Sequence, residues 1–438
     1  MNNNELNKKT KLLFDGTILV NNLNKNSQRS GIFFVCYNLL KELAKYEDLD
    51  ITIYYSNVLE TDIDVLYNEN IIPTNCKLIK KKFITNPILD FLLRLKKKAT
   101  TENDSLIKKI IRFLTNKYIK LYNSYKNIFP HKQAFLKSYD IYFSPCHSIP
   151  KFITKSDSIK SYQLIHDLIP ITMKEFYKDY EKYISGMETI LKKINTKDKY
   201  FSVSNHTKKD ILKHINSTIE NNITVTLLGA NELFNRNENS DLKKSILKKY
   251  NLPEDKKIFL SLCTIEPRKN LEFSINNFIE FTKKYNTEDC IFVVAGGAWK
   301  DYLNKFNQFI KDLKTQNKIY IINYVEDEDL AILYSSATAF VYPSLYEGFG
   351  MPVLEAMQCG CPVITSNTSS LPEVIGGCGI VIDPLNNIEM VKAYQKIYFN
   401  SDFRENCSKR GLERAKTFSW KKCANIMYME FTKNETTI

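Results

Sequence analysis

Between residues 258 and 382, six short apolar runs alternate with longer stretches of helical period. The runs are 258–262, 291–295, 319–324, 339–342, 362–365 and 379–382. They are apolar almost throughout, not at every second residue, which is the pattern of strands buried on both faces. Strands of that kind separated by helices make a parallel sheet covered on both sides. The helices agree: 271–285 puts Ile275, Phe278 and Ile279 on one face. In the first half, runs at 11–14, 51–55, 141–144, 161–165, 200–203 and 223–227 read as strands of the same class. A polar, charged stretch at 231–257, with one short helix in it, separates the halves. At 438 residues and 43% hydrophobic content, the chain is long enough for two α/β units, each with its own core.

No apolar run reaches the ~18–20 residues that span a bilayer. The start, MNNNELNKKTK, has no apolar segment after its charges, so no signal peptide is expected. Ten cysteines lack metal-ligand spacing. Cys359 and Cys361 form only a C-x-C inside an apolar block, which reads as reduced structural thiols of a cytosolic protein. The net charge of +13 has one address. Residues 77–137 hold sixteen lysines and arginines against Asp90, Glu102 and Asp104, an excess equal to the charge of the whole chain. Within that segment Ile107, Ile110, Ile111, Leu114, Tyr118, Leu121, Tyr122 and Tyr125 recur at helical spacing, with Lys108, Lys109, Arg112, Lys117, Lys120 and Lys126 among them. Residues 88–95 are densely apolar and run into Lys96, Lys97 and Lys98. Such a helix suits an anionic membrane surface. It equally suits an ordinary surface helix with solvated lysines, and both readings stand. No nucleic-acid fold signature accompanies the charge, so no nucleic-acid partner is expected. The chain is placed in the cytoplasm, at the inner face of the cell membrane if the basic segment engages lipid.

The residues with chemistry gather where strands end. After 339–342 comes a turn with Glu347, Gly348, Phe349 and Gly350, then a helix opened by Pro352 with Glu355 in its first turn. Such a junction offers free N–H groups and a positive dipole end to an anionic or polyhydroxylated ligand. Just past 258–262 stand Arg268 and Lys269, placed to hold a diphosphate. The run 291–295 ends in Gly296 and Gly297, which admit a ligand to the backbone. Trp299 follows, to lie beside a base or merely to pack. Strand 11–14, a polar loop with Ser30 as N-cap, and a helix from Gly31 to about residue 45 form the layout of a phosphate-binding turn, without a full G-x-G-x-x-G. His166 and Asp167 end the strand at 161–165, and Ser204, Asn205, His206 and Thr207 end that at 200–203.

Glu347 and Glu355, with seven residues between them in the block that begins Pro343-Ser344-Leu345-Tyr346, are similar to the E-x7-E signature of retaining GT-B glycosyltransferases, most closely glycosyltransferase family 4. The resemblance implies two Rossmann-like domains facing across a cleft. Residues 1–230 would be the acceptor domain with a basic insert at about 77–137. Residues 231–416 would bind the nucleotide sugar, and 417–438 would be a helix crossing back, with Trp420, Cys423, Ala424, Met427 and Phe431 on its apolar face. It implies Glu347, His166, Arg268 and Lys269 as catalytic residues, and Gly31, Arg268, Lys269, Gly296, Gly348, Phe349, Gly350 and Glu355 as donor-binding residues. Glu355 would accept the ribose hydroxyls. Arg268 and Lys269 would neutralise the diphosphate with no metal or other cofactor. The triplets at 48–50 and 62–64 read as surface acids. The family often has glycine where Cys263 stands. The implied reaction moves a sugar from a nucleotide-diphosphate donor to a glycan or lipid-linked glycan acceptor in bacterial surface polysaccharide or lipopolysaccharide synthesis. The anomeric configuration is kept, and the leaving phosphate takes the acceptor proton. A mannose-type GDP-sugar is favoured by the His-Asp-Leu-Ile-Pro run at 166–170, with a UDP-sugar next. Two other readings are a GT-B relative that epimerises or hydrolyses a nucleotide sugar, and a non-enzymatic basic protein that holds membrane or nucleic acid through 77–137.

Overall fold

The computed structural model describes residues 9–21, 31–55, 71–80, 113–114, 117, 131–215, 217–313 and 316–433. Of the amphipathic stripe of the basic segment only Leu114 is among them, and it is exposed; the rest of the stripe, Ser30 and the acids at 62–64 lie outside them. Seven strands form the first sheet: β1 (Thr10–Asp15), β2 (Leu49–Tyr55), β3 (Lys77–Lys80), β4 (Ile141–Ser144), β5 (Lys160–Ile165), β6 (Lys199–Ser202) and β7 (Ile223–Val225). Their order is β3-β2-β1-β4-β5-β6-β7, all parallel. The second sheet has six: β8 (Lys257–Leu262), β9 (Cys290–Ala295), β10 (Ile319–Ile322), β11 (Ala339–Tyr342), β12 (Val363–Ser366) and β13 (Ile380–Ile382). Its order is β10-β9-β8-β11-β12-β13, again parallel. The strands expected from apolar runs are all present, with ends moved by a few residues. One strand was not expected: β3 occupies the first four residues of the basic segment. A short helix, Thr17–Asn21, also stands where a polar loop was read.

Helices cover both sheets. Those that matter to the cleft are α1 (Gly31–Leu43), α2 (Asn205–His214), α3 (Leu271–Tyr285), α4 (Asp327–Ser336), α5 (Met351–Gln358), α6 (Leu371–Ile375) and α7 (Trp420–Thr432). Ser419 caps α7, its side chain accepting from Lys422 N–H. The apolar face read from the sequence is the buried one: Trp420, Cys423, Ala424, Met427 and Phe431. That face leaves the second domain and packs on the first. Phe431 sits among Phe143, Tyr162 and Phe201, with ring centroids 5.5, 4.9 and 5.9 Å away. Tyr162 OH donates to the Glu430 carbonyl at 2.8 Å, and Tyr428 stacks on Tyr46 at 4.0 Å. The protein thus consists of two Rossmann-like domains facing across a cleft, with the last helix tying one to the other. Among the described residues no helix is long and apolar enough to cross a membrane.

In each sheet the strand order reverses at one point, β1/β4 in the first and β8/β11 in the second. Parallel α/β sheets bind ligands outside the carboxyl ends of the strands at that switch point, where diverging loops leave a crevice. A cavity of about 570 Å³ lies there, lined from both domains. Another hollow of about 640 Å³ lies at the amino ends of β1, β4, β5 and β6, among Lys9, Lys160, Lys197, Lys199 and Lys433. It is the wrong end of the strands for an α/β ligand, so the cleft is the candidate site.

Candidate active site

The second switch point explains which residues meet. β8 and β11 are neighbours in the sheet although some eighty residues separate them in the chain. The loop after β8 therefore lies beside the loop after β11. The first carries Arg268 and Lys269 in a three-residue 3-10 turn, Pro267–Lys269, which Asn270 ends in the left-handed region at φ 59°. The second carries Glu347 and ends at Gly350, the N-cap of α5, at φ 111°. A side chain at Gly350 would be strained whatever the space around it. Met351 is the first helical residue and Pro352 lies just behind it. Glu355 consequently sits at the start of the second turn of α5, one residue deeper than the first-turn place the sequence suggested; the first turn holds no acid.

Arg268, Lys269 and Glu347 are 7%, 8% and 8% exposed, and they are bound to one another. Lys269 Nζ donates to Glu347 Oε1 at 2.6 Å, and Arg268 Nη1 lies 2.7 Å from the same oxygen. Tyr342 OH and Ser344 Oγ donate to it at 2.9 and 2.6 Å. Four donors thus converge on Oε1, and Oε2 is the oxygen without one among the described residues. Burial alone would raise this carboxyl, but Arg268, Lys269 and the hydrogen bonds from Lys269 and Ser344 bring it down to about 2. Burial opposes the charge of Arg268 too, yet Glu347 and Glu266 more than offset it and raise the guanidinium further above its ordinary value. Glu266 Oε1 takes Arg268 Nη2 at 2.5 Å. The two cations expected to hold a diphosphate are thus already matched by two carboxylates.

The backbone of Glu347 is held as firmly as its side chain. Its N–H donates to Ser369 Oγ at 2.8 Å, and Ser370 Oγ donates to its carbonyl at 3.0 Å. Ser369 has φ 52°, an uncommon conformation for a residue with a side chain, and it sits where it can receive that N–H. Glu266, Tyr342, Ser344, Ser369 and Ser370 were not singled out in the sequence. Tyr342 alone carried a signal, as the last residue of an apolar strand that points at a ligand edge.

Glu355 lines the same cavity further along α5. Burial pushes its carboxyl up to about 7, against a hydrogen bond from Tyr334 OH at 3.2 Å. His166 and Asp167 form the opposing wall. Burial lowers the imidazole and raises the carboxyl, so both groups are biased towards their neutral forms. His166 Nε2 lies 2.7 Å from the Pro145 carbonyl, which can only accept, so Nε2 carries the proton and Nδ1 is left as an acceptor. Gly31 opens α1 on the cavity, and a Cβ there would meet nothing within 4 Å among the described residues.

Three expected residues serve packing as well as lining. A Cβ on Gly296, at φ 128°, would lie 2.2 Å from the Cys263 carbonyl oxygen. A Cβ on Gly348 would lie 2.2 Å from the His166 carbonyl oxygen, so this glycine lets the two domains touch. The Phe349 ring packs edge-on to Phe418 at 5.9 Å. Trp299, which had two readings, packs against Tyr177 and Tyr180 of the first domain at 5.4 and 4.8 Å. The acids at 48–50 lie away from the cleft: Asp50 pairs with Lys77 at 2.9 Å and Asp48 accepts from Tyr428 OH. Among the described residues no group of three or more His, Cys, Asp or Glu has metal-binding geometry.

Residues 243–414 match the model of a family described as glycosyl transferases group 1. The chain is 31% identical over 308 residues to the O-antigen chain mannosyltransferase B of Escherichia coli, covering 69% of this chain and 77% of that one. It is 27% identical over 279 residues to a serotype-specific mannosyltransferase, WbdA, also of Escherichia coli, and there spans only 33% of the relative's length against 63% of its own. In three dimensions it resembles the sucrose-phosphate synthase of Thermosynechococcus elongatus with a TM-score of 0.68 at 17% identity, covering 97% of this chain and 98% of that one.

Proposed function

Because the chain belongs to the glycosyl transferases of group 1 and is a hexosyltransferase of polysaccharide synthesis, we propose that it is a retaining enzyme of the family 4 type that transfers mannose from GDP-mannose to a glycan or lipid-linked glycan. Membership sets aside the reading of a non-enzymatic basic protein. The observation that carries the proposal is the meeting of Arg268, Lys269 and Glu347 at the switch point of the second sheet, on a cavity that both domains line. The mannosyltransferase names of the relatives favour the sugar.

Transfer builds positive charge on the sugar ring and negative charge on the departing diphosphate, and fixed groups aimed at those charges lower the barrier. Glu347 Oε2 accepts a hydroxyl of the donor sugar while Oε1 stays tied to the cations. Arg268 and Lys269 turn part of their charge to the diphosphate. Since Glu347 and Glu266 already match them, the N-termini of α1 and α5 supply the remaining donors through free N–H groups. No metal is used in this scheme. Glu355, one turn into α5 and held by Tyr334 OH, receives the ribose hydroxyls. His166 stays neutral beside the reacting sugar. The leaving phosphate takes the acceptor proton, so no separate base is called for. The acceptor enters from the first domain. Its basic residues 77–137 rest on an anionic membrane at the cytoplasmic face and bring the enzyme to lipid-linked substrate.

Calorimetry with GDP, UDP, GDP-mannose and UDP-glucose in metal-free buffer tests this. GDP and GDP-mannose are expected to bind, and Lys269→Ala is expected to weaken both by about tenfold or more. Preference for UDP would replace the donor. No binding of any nucleotide by folded protein would overturn the reading.

A further inference from the structure

Tyr346 stands one residue before Glu347, and its side chain leaves its own domain. The hydroxyl donates to Asp210 Oδ2 on α2 of the first domain and lies 3.0 Å from His206 Nε2 on the same helix. With its single proton given to Asp210, the tyrosine oxygen accepts from His206, whose ring stands edge-on at 5.3 Å. Asp210 is buried, so this is no surface pairing. The main chain of Tyr346 faces the other way. Its carbonyl accepts from Arg268 Nη1 at 2.5 Å, and that same nitrogen pairs with Glu347 Oε1 at 2.7 Å.

The residue after Glu347 is gripped in the same manner. The Gly348 carbonyl accepts from Ser204 Oγ, the N-cap of α2, at 2.7 Å and from Thr207 Oγ1 in its first turn at 3.2 Å. Residues 346 and 348 are thus fastened to the first domain. The Glu347 carboxylate, among the described residues, takes its hydrogen bonds and ion pairs from the second: Lys269, Arg268, Tyr342 and Ser344. A domain that moves away takes the flanking residues with it or releases them, and in either case the shared Arg268 Nη1 contact changes.

We propose that Tyr346, clasped by Asp210 and His206, is a positioning residue that sets the Glu347 carboxylate for the donor sugar when the two domains are closed. This rests on the reading of Glu347 as the sugar-binding carboxylate. Nucleotide binding rests mainly on Arg268, Lys269, Glu355 and the N-terminus of α5, all in the second domain, so it depends less on the clasp. Turnover does need it. The acceptor domain therefore controls the donor carboxylate through one tyrosine hydroxyl.

Tyr346→Phe removes that hydroxyl and keeps the ring. The full chain is assayed with GDP-mannose and octyl α-mannoside, and GDP affinity is read by calorimetry. Tyr346→Phe is expected to lower kcat about tenfold or more while KM for the donor and GDP affinity stay within about twofold. Asp210→Ala is expected to match it, with no further loss in the double variant. In a Glu347→Gln background, Tyr346→Phe is expected to cost nothing more in single turnover, a result that a purely structural role would not give. An unchanged kcat in Tyr346→Phe, or its full penalty in the Glu347→Gln background, would overturn the proposal while leaving the transferase reading intact. A wild-type chain that binds neither GDP nor UDP overturns both, and the blank calorimetry tells the two failures apart. Should Tyr346→Phe fail to fold, Asp210→Asn carries the same comparison of kcat with KM.

Discussion

One carboxylate oxygen with four donors is a stability device. The Glu347 carboxyl sits at about 2 in the folded protein, against an ordinary value near 4.5. A lowered carboxyl contributes stability above its unfolded value and loses it as pH falls towards the folded one. The wild type should therefore lose about 2 kcal/mol between pH 7 and pH 3 that Glu347→Gln does not lose, since a shift of one unit is worth about 1.4 kcal/mol. Urea unfolding of both proteins at the two pH values checks this; an equal loss in both would remove Glu347 as the cause. At this scale the sequence offered candidates but not their pairing. Glu347, Arg268 and Lys269 were visible as residue types beside strand ends. That one oxygen serves three of its neighbours and a serine follows from β8 lying next to β11, which no local pattern encodes. Ser369 and Ser370 were invisible for a plainer reason: serines near a turn are common, and only the φ of 52° and the Glu347 N–H give these a purpose.

Among the elements, those with a continuous apolar run or a full helical stripe were legible. α3 begins and ends where its period does, and the face of α7 was read residue for residue. β3 was not, because Lys-Leu-Ile-Lys has two apolar residues and lies in a segment whose charge drew the reading. A strand at the edge of a sheet tolerates such lysines. The start of α5 was misread by one residue because Gly350, at φ 111°, takes the N-cap and moves Pro352 inward. α7 carries the sharpest energetic expectation. Phe431 is buried against three aromatic rings of the other domain. Phe431→Ala should cost about 3–5 kcal/mol, seen as a lower urea midpoint for the first domain. A loss confined to the second domain would show that α7 does not support the sheet it covers.

The domains meet at a point where no side chain fits. With 2.2 Å between a Gly348 Cβ and the His166 carbonyl oxygen, Gly348→Ala must push the domains apart or bend the Glu347 loop. A displacement on the order of 1 Å costs about a hundredfold in turnover. The variant should still bind nucleotide, and small-angle scattering should report a wider molecule; normal turnover would mean that the contact is incidental. Two parallel sheets were legible from strand–helix alternation, and their facing from the family resemblance, whereas this approach was not, since it joins a loop near residue 348 to one near residue 166. The crossing of α7 also bears on how the protein is made. Phe143, Tyr162 and Phe201 of the first domain emerge from the ribosome more than two hundred residues before the helix that covers them. During synthesis that apolar face waits uncovered while the entire second domain is translated, so the nascent chain carries a standing demand for chaperones. The cleft is completed only in a molecule whose synthesis has passed residue 431.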